Sequence, residues 1–243
     1  MVKMDFASSP LHDLVIRTIA EYIISVKTLV KLQYLNQRFY GLRDIFIGQI
    51  CLSPHTSYYA CEKKPYGWNK VRFMHLYYKS DVSDLAGYHH TVKLSWCSYL
   101  CDVSPLSGLH TLILDDCSGI IDVSALGRLY SLSIYMCKNI RDVSALGGLK
   151  RLILDDCPGI IDVSALGRLY SLSIYMCQNI RDVSALGGLH TLIIECCSNI
   201  RDVSALWSVR ILTIDSCTGI TDVSALKKVP KLTISECHNI VKN

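Results

Sequence analysis

Eight copies of one twenty-residue unit fill the C-terminal two-thirds of this chain. They open at Asp81, Asp102, Asp122, Asp142, Asp162, Asp182, Asp202 and Asp222 and read D-V-S-A-L-x-x-L-x-x-L-x-I/L-x-x-C-x-x-I-x, with one extra residue in the first copy. A strict period this short predicts a solenoid, in which each unit buries its apolar side only against its neighbours. Such an architecture presents one long side surface and no deep pocket. Binding is therefore expected, and catalysis is not.

Within each unit the segment L-x-x-L-x-I alternates, as in Leu109, Leu112 and Leu114 or Leu169, Leu172 and Ile174. Over 111–115 the alternation predicts a short strand with one buried face. Two residues after the cysteine stands Gly119, Asn139, Gly159, Asn179, Asn199, Gly219 or Asn239, with Tyr99 the exception in the first unit. Gly and Asn share a tolerance for positive φ, so this column is expected to be a left-handed turn. Ile120 and its equivalents then plug the core. Ser104, Ser124 and their equivalents are expected to cap one helical turn over the A-L-G segment, the preceding Asp marking the corner.

The outward strand positions form columns. The last reads Ser95, Asp115, Tyr135, Asp155, Tyr175, Glu195, Asp215, Ser235, and the middle one Lys93, Ile113, Ser133, Ile153, Ser173, Ile193, Thr213, Thr233. An acid–Tyr alternation beside an Ile–Ser alternation makes a docking strip for an extended or basic partner segment, with Asp115, Tyr135, Asp155, Tyr175, Glu195 and Asp215 as its contact residues. The alternative is a solvated sheet face whose Tyr and Ile simply suit strands. Residues 112–149 and 152–189 differ only at Ser118/Pro158 and Lys138/Gln178, so a two-unit cassette has been duplicated, surface included. The last unit carries Lys227, Lys228, Pro230 and Lys231, charges and a proline of the kind that blunts an open sheet edge.

Twelve cysteines would suggest a secreted disulfide scaffold if scattered, but Cys97, Cys117, Cys137, Cys157, Cys177, Cys197, Cys217 and Cys237 share one repeat column. Free cysteine behaves as a small hydrophobe with a weak donor, so the column reads as packing. A thiolate ladder for metal is the rival, but zinc clusters show C-x2-4-C pairs, which a column spaced by twenty residues lacks. Cys51, His55, Cys61 and His75 are too irregularly spaced to replace them. No metal and no cofactor are expected, and the thiols predict a reducing compartment. Half the residues are apolar, 19% are charged, and the net charge of +4 comes without a block of one sign. Lys63, Lys64, Lys70 and Arg72 with interleaved aromatics are too short a run for a nucleic-acid surface. Met1 to Pro10 holds no apolar run and no stretch nears the roughly 20 apolar residues of a membrane span. The expectation is a cytoplasmic protein with neither membrane nor nucleic acid as partner.

The pattern L-x-x-L-x-I/L-x-x-C over 81–241 resembles a leucine-rich repeat, with Cys where many members of that family carry Asn. The resemblance implies an α/β solenoid with a parallel sheet lining one face, eight coils spanning roughly 35–40 Å in a mildly curved slab. The solenoid is expected over 81–243, preceded by a tail (1–9), a helical segment (10–43) and a linker with N-terminal cap (44–80) in which Val71, Met74 and Leu76 form a degenerate strand. Spacings of three and four through Leu11, Leu14, Ile16, Ile19, Ile23, Leu29, Leu32 and Leu35 predict two or three short helices.

The residue order in that helical segment, P-L-H-D-L-V-x-x-I-A-x-Y-I and then L-V-K-L-Q-Y-L-N-Q-R-F-Y-G-L, resembles an F-box over Pro10 to Leu42. By resemblance, an F-box docks onto the Skp adaptor of cullin-RING ubiquitin ligases while attached repeats hold a substrate. Pro10, Leu11, Leu14, Val15, Ile19 and Leu29 would carry that docking. The family usually opens Leu-Pro, whereas this chain has Pro10-Leu11. The alternative is that these helices only cap the first coil. Repeats joined to such a segment also resemble repeat proteins that giant DNA viruses of amoebae encode in large sets. Two functions follow: a substrate adaptor of a ubiquitin ligase, or a structural interaction protein, for instance of a virion, with no ligase link. No Gly-rich phosphate loop, nucleophile elbow or H-E-x-x-H is present. The acid pairs Asp115–Asp116 and Asp155–Asp156, as strand neighbours, are expected to face opposite ways.

Overall fold

The structure, a computed structural model, describes residues 50–51 and 73–241. The helices expected over 10–43, with Pro10, Leu11, Leu14, Val15, Ile19 and Leu29, lie outside these residues, as does the basic run at 63–72. Among the described residues ten strands form one parallel sheet in chain order. They are β1 (Ile50–Cys51), β2 (Phe73–Tyr77), β3 (Thr91–Ser95), β4 (Thr111–Asp115), β5 (Ser131–Tyr135), β6 (Arg151–Asp155), β7 (Ser171–Tyr175), β8 (Thr191–Glu195), β9 (Ile211–Asp215) and β10 (Lys231–Ser235). From β3 onward each residue pairs with the one twenty positions on, Leu112 with Leu132 and Leu152 with Leu172, so equivalent side chains stack in straight columns. The sheet continues past the repeats on its N-terminal side: β2 carries Met74 and Leu76 inward and pairs with β3, and β1 pairs with β2.

The period-two pattern inside each strand sends Leu112, Leu132, Leu152, Leu172, Leu192 and Leu212 into one core, each 0–1% exposed. Val103, Leu106, Leu109 and their equivalents close that core from the return side. The return is a short 3-10 turn in every coil, from Ser83–Leu85 and Ser104–Leu106 to Ser204–Ser208 and Ser224–Lys228. Lys227 and Lys228 lie in that last turn, so Lys231 alone of the expected edge charges sits on β10.

Two sequence expectations about the turns are corrected. The left-handed residue is not the Gly/Asn column but the residue straight after each strand: Tyr78, Trp96, Asp116, Met136, Asp156, Met176, Cys196, Ser216 and Glu236 have φ between 45° and 56°. The conformation costs about 1–2 kcal/mol for an L-residue. At the eight positions followed by another coil the same residue extends the ladder, Asp116 N–H donating to Tyr135 O at 2.9 Å and Met136 N–H to Asp155 O at 2.8 Å. The Gly/Asn column instead serves the contact between coils. Asn139, Asn179 and Asn199 donate side-chain N–H bonds of 2.7 Å to carbonyls of the preceding coil, and a Cβ on Gly159 would lie 2.4 Å from Ile140 O.

The serines do not cap through their side chains; the aspartates cap for them. Asp162 Oδ1 accepts the Ser164 N–H at 2.8 Å, and the same bond recurs in all eight units. These are Asx turns, which fix the corner before the 3-10 segment. The backbone and then the hydroxyl of Ser164 hold the Asp162 carboxyl below its usual range, and hydrogen bonds from the following serine do so at every equivalent aspartate. A carboxyl depressed in the folded state stabilises it above the unfolded value near 3.9, and the contribution disappears as pH falls through the folded value. The contribution of these eight carboxyls to the urea midpoint should therefore be flat from pH 7 to about 5 and drop steeply below pH 4. Asp162→Ala should lower the midpoint at pH 7 but change it much less at pH 2. Equal losses at both pH values would remove the carboxylate from the explanation.

Candidate interaction face

The outward side of the sheet is built by the same alternation that builds the core. Thr111, Ile113 and Asp115 of β4 point away from Leu112 and Leu114, and the register places Asp115 beside Tyr135, Tyr135 beside Asp155, and so on to Asp215 beside Ser235. The structure thus brings Asp115, Tyr135, Asp155, Tyr175, Glu195 and Asp215 into one row, each half-buried. In the adjacent row the serines sink and the isoleucines stand: Ser133 and Ser173 are 7% exposed, whereas Ile113, Ile153 and Ile193 are half-buried.

The N-terminal end of the row is closed by its own polar contacts. Lys93 Nζ pairs with Asp115 Oδ2 at 2.8 Å, and Ser95, itself buried, donates its hydroxyl to the same carboxylate oxygen at 3.3 Å. His75 Nε2 sits 2.9 Å from Ser95 Oγ; burial first, then Lys93, lowers its pKa. The middle of the row is different. Asp155 Oδ1 is buried with no hydrogen-bond partner among the described residues. Burial, and after it the charge of Asp156, raises the Asp155 pKa. Asp156 acts on Asp155 because the strand ends there: the left-handed turn overrides the alternation that predicts opposite faces, and Asp116 and Asp156 are half-buried rather than turned into the core.

Two flanking rows were not singled out from the sequence. The left-handed positions carry Asp116, Met136, Asp156, Met176 and Cys196 beside the acid–Tyr row, with Met136 42% and Met176 49% exposed. At the other end of the strands His110 stacks on Tyr130 with centroids 4.6 Å apart, Lys150 lies 4.4 Å over Tyr170, and Tyr170 stacks on His190 at 4.4 Å. The signal for both was the twenty-residue spacing itself, applied to positions outside the alternating segment.

Behind the face runs the cysteine column. Cys97 through Cys217 are fully buried free thiols, and Cys237 is half-buried. Cys157 Sγ donates to Asp155 O at 3.3 Å and Ile134 O at 3.5 Å, and Cys217 Sγ to Asp215 O at 3.2 Å. Burial pushes the Cys197 thiol up to about 12 and the Cys217 thiol to about 11. Among the described residues no group of three His, Cys, Asp or Glu is placed to hold a metal ion, and no helix is long and apolar enough to cross a membrane.

No protein-family model matches the sequence, and no curated protein does. Solved structures do match. An internalin (inlF) from Listeria monocytogenes is 25% identical over 70% of this chain and 55% of its own, with a TM-score of 0.50. The fold is a leucine-rich-repeat solenoid. Internalin C2 from the same organism matches at 24% identity over 69% of this chain and 72% of its own, with a TM-score of 0.42. The leucine-rich repeat domain of the type III effector XopL matches at 14% identity over 96% and 98% of the two chains, with a TM-score of 0.46. The present chain spans 55% of the length of the inlF internalin. The likeness to the inlF internalin supports a protein–protein interaction module.

Proposed function

We propose that this leucine-rich-repeat protein docks a cationic segment of a partner protein on its sheet face, and that residues 10–43 deliver the captured partner to a Skp-type adaptor of a cullin-RING ubiquitin ligase. The observation that carries the docking is the acid–Tyr row. Asp155, Glu195 and Asp215 present carboxylates on an exposed face, interleaved with Tyr135 and Tyr175. Asp155 is half-buried and its inner oxygen has no hydrogen-bond partner among the described residues, so turning the carboxylate outward to a cation would relieve the cost of that unmade bond. Tyrosines add contact area at low entropic cost. The adaptor half rests on the F-box-like residue order at Pro10, Leu11, Leu14, Val15, Ile19 and Leu29, and it places the protein in the cytoplasm, a host's if the source is viral.

The two halves separate in one titration series. The purified chain is expected to bind a eukaryotic Skp adaptor in the micromolar range or tighter, and Leu14→Asp to abolish that binding with the far-UV spectrum unchanged. A fluorescent oligolysine should bind the same chain with an affinity that falls as salt rises, and Asp155→Lys/Glu195→Lys should remove it. Adaptor binding that is absent, or indifferent to Leu14→Asp, would leave a scaffold protein with a docking face.

A further inference from the structure

Resting on that reading, the spacing of the face says more about the partner than its charge does. The rungs alternate. Asp115/Asp116, Asp155/Asp156 and Glu195 are acidic, and between them lie Tyr135/Met136 and Tyr175/Met176. From Asp115 to Glu195 acidic rungs therefore recur every second coil, and Asp215, one coil after Glu195, ends the alternation. Hydrogen-bonded strands lie about 4.8 Å apart, which puts consecutive acidic rungs about 9.6 Å apart. The duplicated forty-residue cassette, two coils long, is the origin of that period.

The three regular conformations of a bound segment can be measured against this ruler. A polyproline II segment turns once every three residues and rises about 3.1 Å per residue, so every third side chain returns to one side after about 9.3 Å. An extended β-segment returns after about 6.7 Å or 13.4 Å, and neither fits. An α-helix returns after seven residues and about 10.5 Å. Over the one interval from Asp155 to Glu195 the polyproline II segment slips by about 0.3 Å and the helix by about 0.9 Å.

The surface chemistry agrees with the spacing. Each apolar rung pairs a half-buried tyrosine with an exposed methionine, and beside each tyrosine a sunken serine, Ser133 or Ser173, lowers the face between isoleucines. Proline-rich segments dock on surfaces of this aromatic kind, and they are stiff before binding, so little entropy is lost. We infer that the partner segment is a polyproline II stretch with a lysine or arginine at every third position and proline or another apolar residue between, its cations on Asp155/Asp156 and Glu195 and its apolar positions on Tyr135/Met136 and Tyr175/Met176. The Asp115 rung, already paired with Lys93, marks where the strip ends.

Three labelled peptides of about twelve residues test this by fluorescence anisotropy on the full chain. One has lysine at every third position and proline elsewhere. The second has the same composition with the lysines in one block. The third is helical, alanine-rich, with lysine at every seventh position. The period-three peptide should bind about tenfold tighter than the blocked isomer and tighter than the helical one. Asp155→Asn/Asp156→Asn, and separately Glu195→Gln, should each erase most of that preference while circular dichroism stays unchanged. Equal binding of the two isomers, or preference for the helical peptide, overturns the polyproline II assignment and leaves cationic docking standing. Binding of none of the three overturns both.

Discussion

Replacing Leu172 by alanine is expected to lower the unfolding free energy by about 2–5 kcal/mol, the range for a fully buried leucine whose site cannot collapse. Leu172 is 0% exposed in β7, and its strand partners are Leu152 and Leu192, leucines of equal size in the coils on either side. In this sheet each strand touches only its neighbours in the chain. A weakened central coil therefore removes coupling between the halves as well as its own burial, and repeat arrays lose cooperativity in that way. Urea unfolding followed by circular dichroism should show a lower midpoint together with a smaller m-value or a second transition. Thr213→Ala, on the outward side of β9, should stay within about 0.5 kcal/mol of the parent. A cost below about 1 kcal/mol for Leu172→Ala would mean that the inward column is not the core.

Which positions face inward was legible because a strand has a period of two and the unit a period of twenty. The ladder pairs each residue with its equivalent in the next coil, so Leu112, Leu132 and Leu152 keep one face from coil to coil and the outward residues keep the other. Strand boundaries followed from the same arithmetic, and the expected 111–115 is β4. The turns were less legible, because several residue types satisfy the same backbone. Asp, Met, Cys, Ser and Trp all occupy the left-handed position, so no composition signal marks it, and at eight of the nine positions the residue's N–H bonds to the next coil. Gly and Asn shared a column for a different reason: one admits close backbone approach, and the other bridges to the neighbouring carbonyl. The capping role moved from Ser to Asp because Asp sits two residues earlier, where its carboxylate reaches the N–H at the corner.

The interaction face was half legible. Its acid–Tyr row could be written down from strand parity, but the flanking Met136 and Met176 and the His110–Tyr130 and Tyr170–His190 stacks sit just outside the alternating segment, where parity gives no direction. That Asp156 bears on Asp155 could not be foreseen from a straight strand. Parity predicts opposite faces for neighbours, and only the left-handed turn after Asp155 undoes it.

Cys196 and Cys197 turn the same geometry into a measurement. They are adjacent in sequence, so they share reagent, pH and local chain, yet Cys196 takes the left-handed, half-buried position and Cys197 the fully buried column. Burial pushes the Cys197 thiol up to about 12, and Cys197 Sγ donates to Glu195 O at 3.3 Å. Only the thiolate reacts, so at pH 8 a thiol near 12 is slower by about a thousandfold than an ordinary one near 8.5 before access is considered. Access adds to this, since a column thiol is reached only when coils separate. Maleimide labelling of the native chain, read site by site by mass spectrometry, should therefore modify Cys101 and Cys196 first. Cys237, half-buried in the last coil, should follow, and the buried column thiols Cys97, Cys117, Cys137, Cys157, Cys177, Cys197 and Cys217 should stay unmodified until urea is added. Labelling of Cys197 within about tenfold of Cys196 would sink the packing role of the column. A Cys157→Ser chain gives the complementary reading. Its hydroxyl keeps a donor for Asp155 O but is smaller and more polar than the thiol in a dry column. The expected loss is about 1 kcal/mol, with Cys137 and Cys177 on either side becoming faster to label.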